Sequence, residues 1–155
     1  MKKRIWTIIL AIVIFGVGIF SFSQDKLNQN KELGVDKDNE LLKYFISLYP
    51  EREVLKCGYE DVNSDGRKDL VVIFNNSKLS NGMVVVLNGE ENYDITIEVP
   101  APIDNQEIEF KDIDDTQPIE FIVSGSKNGQ FGYAIFRVQG LETKNLFGEG
   151  MEDCC

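Results

Sequence analysis

The sequence predicts an α+β fold that is mainly antiparallel β. An N-terminal transmembrane or signal helix and one amphipathic helix precede about eight short strands. Three observations predict it. A basic head, Met1-Lys2-Lys3-Arg4, leads an uncharged run from Ile5 to Phe22. Leu41, Leu42, Phe45, Leu48 and Tyr49 then recur at helical spacing until Pro50. Beyond Pro50 only short apolar or alternating runs remain, separated by Gly, Asn and Asp.

The first run is read as a targeting segment, residues 1–23. Its apolar stretch, as a helix, would rise about 27 Å, close to the ~30 Å hydrocarbon core of a bilayer. Ser21-Phe22-Ser23 supplies a small-x-small cleavage site before Gln24. A cleaved signal peptide and an uncleaved anchor both fit, and both place the basic head inside and the remainder outside. The expected location is extracytoplasmic, anchored to the cell membrane or secreted. The full chain of 155 residues carries a net charge of −10. Loss of residues 1–23 removes three positive charges, Lys2, Lys3 and Arg4, and leaves −13. No basic surplus is available for nucleic-acid phosphates, so DNA and RNA are not expected partners.

Residues 24–37 are polar and read as a linker. Asp38 or Asn39 can cap the helix that follows, because a short side-chain oxygen can accept from the free N–H groups of the first turn. The folded domain is expected to span residues 38–147. Its candidate strands are 53–59, 69–74, 83–87, 93–99, 107–111, 119–124, 131–138 and 142–147. Asn81-Gly82, Asn88-Gly89 and Asn128-Gly129 are read as the tight turns. No helix separates these strands, which implies hairpins and an antiparallel sheet. Residues 148–155 carry no strand pattern and read as a flexible tail.

Composition narrows the chemistry. The chain has no His and three Cys. Triads built on His, His-ligated metal centres and four-cysteine clusters held by one chain are therefore excluded. No catalytic constellation is visible, and the protein is not expected to be an enzyme.

Two constellations remain. In the first, Asp61, Asn63, Asp65 and Asp69 stand at positions 1, 3, 5 and 9 of a loop with Gly66 at position 6. Calcium takes several oxygen ligands, and Arg67 at position 7 would add its backbone carbonyl. An EF-hand would require Glu at position 12, where this chain has Val72. The same residues can instead cap backbone N–H groups of a tight turn with no metal. A degenerate copy lies 51 positions on, with Asp112, Asp114 and Glu120 matching Asp61, Asn63 and Asp69. There Asp65 has become Thr116 and Gly66 has become Gln117, so this copy is expected to bind nothing strongly. Two units of about 50 residues suggest an internal duplication.

The second constellation is the terminal pair Cys154-Cys155. Adjacent thiolates beside a terminal carboxylate suit a soft metal ion such as mercury(II). Glu152, Asp153 and the carboxylate raise the thiol pKa, which disfavours an activated nucleophile and favours a bound cation. Cys57 is a possible third thiolate, should the tail fold back; it also reads as a buried strand residue. A dithiol–disulfide couple in the tail is the redox alternative. A calcium-stabilised cell-surface module, with incidental cysteines, is the third.

The calcium-type loop, running straight into a strand, resembles the loops of FG-GAP and VCBS repeats, whose blades build β-propellers. The export segment, the acidic domain and the ending Glu152-Asp153-Cys154-Cys155 together resemble the Cys-Cys-COOH (seleno)protein family of the selenocysteine-assisted organometallic transport system, in its cysteine form. The resemblance implies capture of organometallic species, mercury above all, through Cys154 and Cys155. It also implies a membrane transporter, or a thiol or selenol protein of the same system, as partner.

Overall fold

In a computed structural model, residues 33–77 and 79–151 are described. They belong to one compact unit. The expected targeting segment lies outside the described residues, as do most of the linker and the four residues 152–155. Among the described residues no helix is long and apolar enough to cross a membrane.

Helix α1 spans Glu40–Leu48, and Asn39 caps it by accepting from the Leu42 N–H at 3.1 Å. Its buried face is Leu41, Leu42 and Phe45. Nine strands follow: β1 Val54–Glu60, β2 Asp69–Ser77, β3 Ser80–Asn88, β4 Tyr93–Ile95, β5 Val99–Ala101, β6 Asp104–Lys111, β7 Glu120–Lys127, β8 Gln130–Gln139 and β9 Glu142–Glu149. Every pairing is antiparallel, in two sheets. The first runs β1-β2-β3, with β4 and β5 both on the outer edge of β3, and the second runs β6-β7-β8-β9.

The two sheets repeat one pattern, a meander whose acidic loop joins its first strand to its second. β4 and β5 together make the fourth strand of the first sheet, expected as one run over 93–99. Between the Met83↔Val99 and Val86↔Ile95 pairs, two residues of β3 face three of the edge. The extra residue interrupts the ladder. Thr96 fills the break, donating from its N–H to the Val85 carbonyl and accepting the Val85 N–H on its hydroxyl.

One turn falls elsewhere than the sequence suggests. Asn81 and Gly82 lie inside β3, opposite Asn75 and Phe74, and the hairpin closes between Ser77 and Ser80. Gly82 serves close packing here: a Cβ would stand 2.8 Å from the Phe74 ring. The Asn81 amide is buried and donates to the Pro102 and Ile103 carbonyls at 2.7 and 3.1 Å. Asn128-Gly129 does form a tight turn, with φ of 52° and 82°.

The layers are helix, first sheet, second sheet. Leu70, Val72, Phe74, Val84 and Val86 pack under α1. The alternate residues Val71, Ile73, Met83 and Val85 pack against Phe121, Val123, Ala134 and Phe136 of the second sheet. Phe121 has no exposed surface, and burial of a side chain of that size contributes ~3 kcal/mol. Leu70 and Phe121 are equivalent in the repeat, yet one faces the helix and the other faces the first sheet. The sheets therefore stack in the same orientation, head to tail, with α1 covering the face that no sheet covers. The core under α1 also takes in Val35 and part of Leu33, so the fold begins before residue 38. Between them Gly34 has φ 94°, where a Cβ would collide with the Cys57 carbonyl at 2.0 Å.

Candidate functional site

Each acidic loop is built around a carboxylate at the first residue of the second strand of its sheet. Asp69, fully buried, accepts the Val62 N–H on Oδ2 at 3.1 Å and the Asn88 N–H on Oδ1 at 2.9 Å. Burial pushes its carboxyl up to about 6, the charges of Asp65 and Asp61 add to that, and the two N–H donors oppose it. At the head of the loop Asp61 accepts from the N–H groups of Ser64 at 2.8 Å, Asp65 at 3.3 Å and Gly66 at 2.9 Å. Asn63 Oδ1 accepts from the Asp65 N–H at 3.0 Å. Asp65 accepts from the Arg67 N–H and from its guanidinium, both at 2.8 Å. Arg67 also donates from Nε to the Asn88 carbonyl at 2.6 Å.

The donor types are those calcium takes, but the oxygens of Asp61, Asp65 and Asp69 accept from backbone N–H groups, and Arg67 pairs with Asp65. The arrangement is that of a capped turn, in which side-chain oxygens satisfy the N–H groups that the tight backbone cannot pair. Next to it, Tyr44, Tyr93, Arg67 and Asn88 border a cleft of about 570 Å³ that opens to solvent.

The second loop repeats the caps. Glu120, 1% exposed, accepts the Ile113 N–H at 2.8 Å, as Asp69 does from Val62. Asp114 accepts the Thr116 N–H at 3.0 Å, as Asn63 does from Asp65. Position 4 has a positive φ in both, 62° at Ser64 and 56° at Asp115. The loops also touch, Ser64 donating its hydroxyl to Gln117 at 2.7 Å. Here the carboxylates do converge: oxygens of Asp112, Asp114 and Glu120 lie within 4.8 Å of one another. The Arg137 guanidinium, carried on β8, meets Asp114 at 2.6 Å and pairs with Glu120 as well. Its hydrogen bond holds the Asp114 carboxyl below the usual carboxylate range.

The sequence reading missed Arg137. Its signal was a paired change between the repeats. Arg137 occupies the place of Leu87, opposite the first residue of the second strand, and that residue has changed from Asp69 to the longer Glu120.

Comparison with known proteins adds no relative. No family model, curated protein or solved structure matches the chain.

Of the three cysteines only Cys57 lies among the described residues. Cys154 and Cys155 lie outside the described residues. The chain leading to them turns at Gly150, φ 67°, and Met151 packs against the core between the two sheets. Cys57 is 3% exposed and sits in the other core, on the α1 side of the first sheet. Burial pushes its thiol up to about 12, against a smaller opposing effect of Lys56. Cys57 and Met151 thus pack against different cores.

In a chain with Cys154→Ser and Cys155→Ser, the Cys57 thiol should stay unreactive toward Ellman's reagent at pH 8. It should react fully once urea unfolds the chain; prompt reaction in the native protein would place Cys57 at the surface. For Asp69 the folded pKa of about 6 lies above the unfolded 3.8, so protonation stabilises the fold. The contribution is present at low pH and is lost as pH rises through 6. With divalent cations chelated, the stability advantage of wild type over Asp69→Asn should grow by about 1 kcal/mol between pH 7 and pH 5. Urea unfolding measures it, and a shrinking advantage on acidification would contradict the assignment.

Proposed function

We propose that this is an exported or membrane-tethered protein that captures soft metal or organometal species, mercury above all, through Cys154 and Cys155. It would surrender them to a membrane transporter or to a thiol or selenol protein of the same system. The observation that carries this reading is the terminal thiol pair on a chain whose third thiol is buried and held protonated. Soft donors bind mercury in preference to oxygen or nitrogen. A short pair at a chain end can hand a metal on by ligand exchange, with no general acid or base, which suits a chain without His.

The acidic loops have a separate role in this reading. They close the sheets, and an ion in the first loop would stabilise that closure rather than take part in capture. Their position supports the separation. The loop over 112–119 precedes β7, whereas β9 ends beside the start of β8, at the opposite end of the same sheet.

The reduced full-length chain, titrated anaerobically with mercury(II) in detergent, should hold one ion tightly and lose two titratable thiols. A chain ending at Asp153 should hold none with comparable affinity. Equal binding by both would sink the proposal, and a reversible two-electron couple in the tail without metal would favour a thiol–disulfide protein instead.

A further inference from the structure

Asp112, Asp114 and Glu120 bring three carboxylates within 4.8 Å of one another, one of them buried. Three such groups repel unless a positive charge stands among them, and burial strengthens the demand because water cannot screen the charge of Glu120. That charge is present as the guanidinium of Arg137. Its side chain is 11% exposed, and it contacts Asp114 and Glu120 at once. It comes from β8, opposite Glu120 in the strand register, so the sheet itself delivers it. Among the described residues its Nε finds no hydrogen-bond partner, so the group is not held there by a full set of donors and acceptors.

We infer that Arg137 is the resident cation of the second loop, and that its guanidinium holds shut what is otherwise a divalent-cation site of Asp112, Asp114 and Glu120. Hard divalent cations take oxygen donors of this kind. A guanidinium serves the buried acid permanently and without regard to the surrounding ion concentration, since it keeps its charge at every accessible pH. The second sheet therefore closes in calcium-free surroundings. Two features of the repeat agree. Asp69, which has no arginine opposite it, is met by two backbone N–H groups instead. The residue opposite it, Leu87, lies in the core between the sheets, whereas Arg137 lies on the other face of the second sheet, which no described element covers.

The test compares full-length wild type, Arg137→Met and Arg137→Met/Asp112→Asn by thermal unfolding and calcium bound per chain, in chelator and in millimolar calcium. Arg137→Met should unfold about 10 °C below wild type in chelator, as expected when a buried charge loses its partner. Calcium should restore most of that loss and bind one ion more per chain than in wild type. Asp112→Asn should remove both effects. Unfolding of Arg137→Met at the wild-type temperature in chelator overturns the inference. So does a calcium response no larger than that of wild type. Should Arg137→Met fail to fold in chelator, recovery on refolding into calcium supports it. Failure in both conditions, with Arg137→Lys folding normally, overturns it.

Discussion

A carboxylate is buried at the start of the second strand of each sheet, and the rest of the structure is arranged around meeting its charge. An acid taken out of water costs several kcal/mol unless donors or a cation replace the lost hydration. Asp69 is met by the N–H groups of Val62 and Asn88, one from the loop before it and one from the end of β3. Glu120 is met by the N–H of Ile113 and by Arg137 of β8. In both cases the donors come from two different segments. The buried acid thus fixes where the loop closes and ties that closure to the strand two places along. The register of each meander follows from it.

Head-to-tail stacking then makes the molecule asymmetric. The face of the first sheet that carries Val71, Met83 and Val85 is buried, whereas its equivalent on the second sheet carries Ile122, Tyr133 and Ile135, all half-buried. Ile73 and Leu87 of the first sheet become Ser124 and Arg137 on that half-buried face. At the other end of the stack α1 turns its polar side outward. The two sheets and the helix share two cores, one between the sheets and one under α1. The acidic loops lie at one end of the second sheet and the root of the tail at the other, so stability and the proposed capture are carried by different parts of the chain.

Much of this was legible in the sequence, for reasons that lie in particular residues. The helix announced itself through Asn39, the spacing of Leu41, Leu42 and Phe45, and the stop at Pro50. The strands on either side of the acidic loops were legible because apolar runs there begin directly after the last acid. Asn81-Gly82 misled because the pair is the strongest local sign of a turn, while its real use is tertiary. Gly82 admits the Phe74 ring and Asn81 reaches two carbonyls across the sheet. The break between β4 and β5 depends on Thr96 bonding to Val85 in the neighbouring strand, which no local pattern encodes. Arg137 was hidden because it sits in an ordinary alternating strand, and its acids are 17 or more positions away. The second loop read as worn through its loss of Asp65 and Gly66, although the change that matters to it lies on another strand.

The proposed capture uses two sulfurs, leaves Cys57 in the core and does not involve the loop carboxylates. Mercury-edge X-ray absorption of the full-length chain loaded with one equivalent of mercury(II) tests all three assignments together. The account predicts an inner shell of two sulfurs and no nearby oxygen or nitrogen. A third sulfur would bring Cys57 or a thioether into the site, and an oxygen shell would move the metal to the acidic loops. Either result contradicts it.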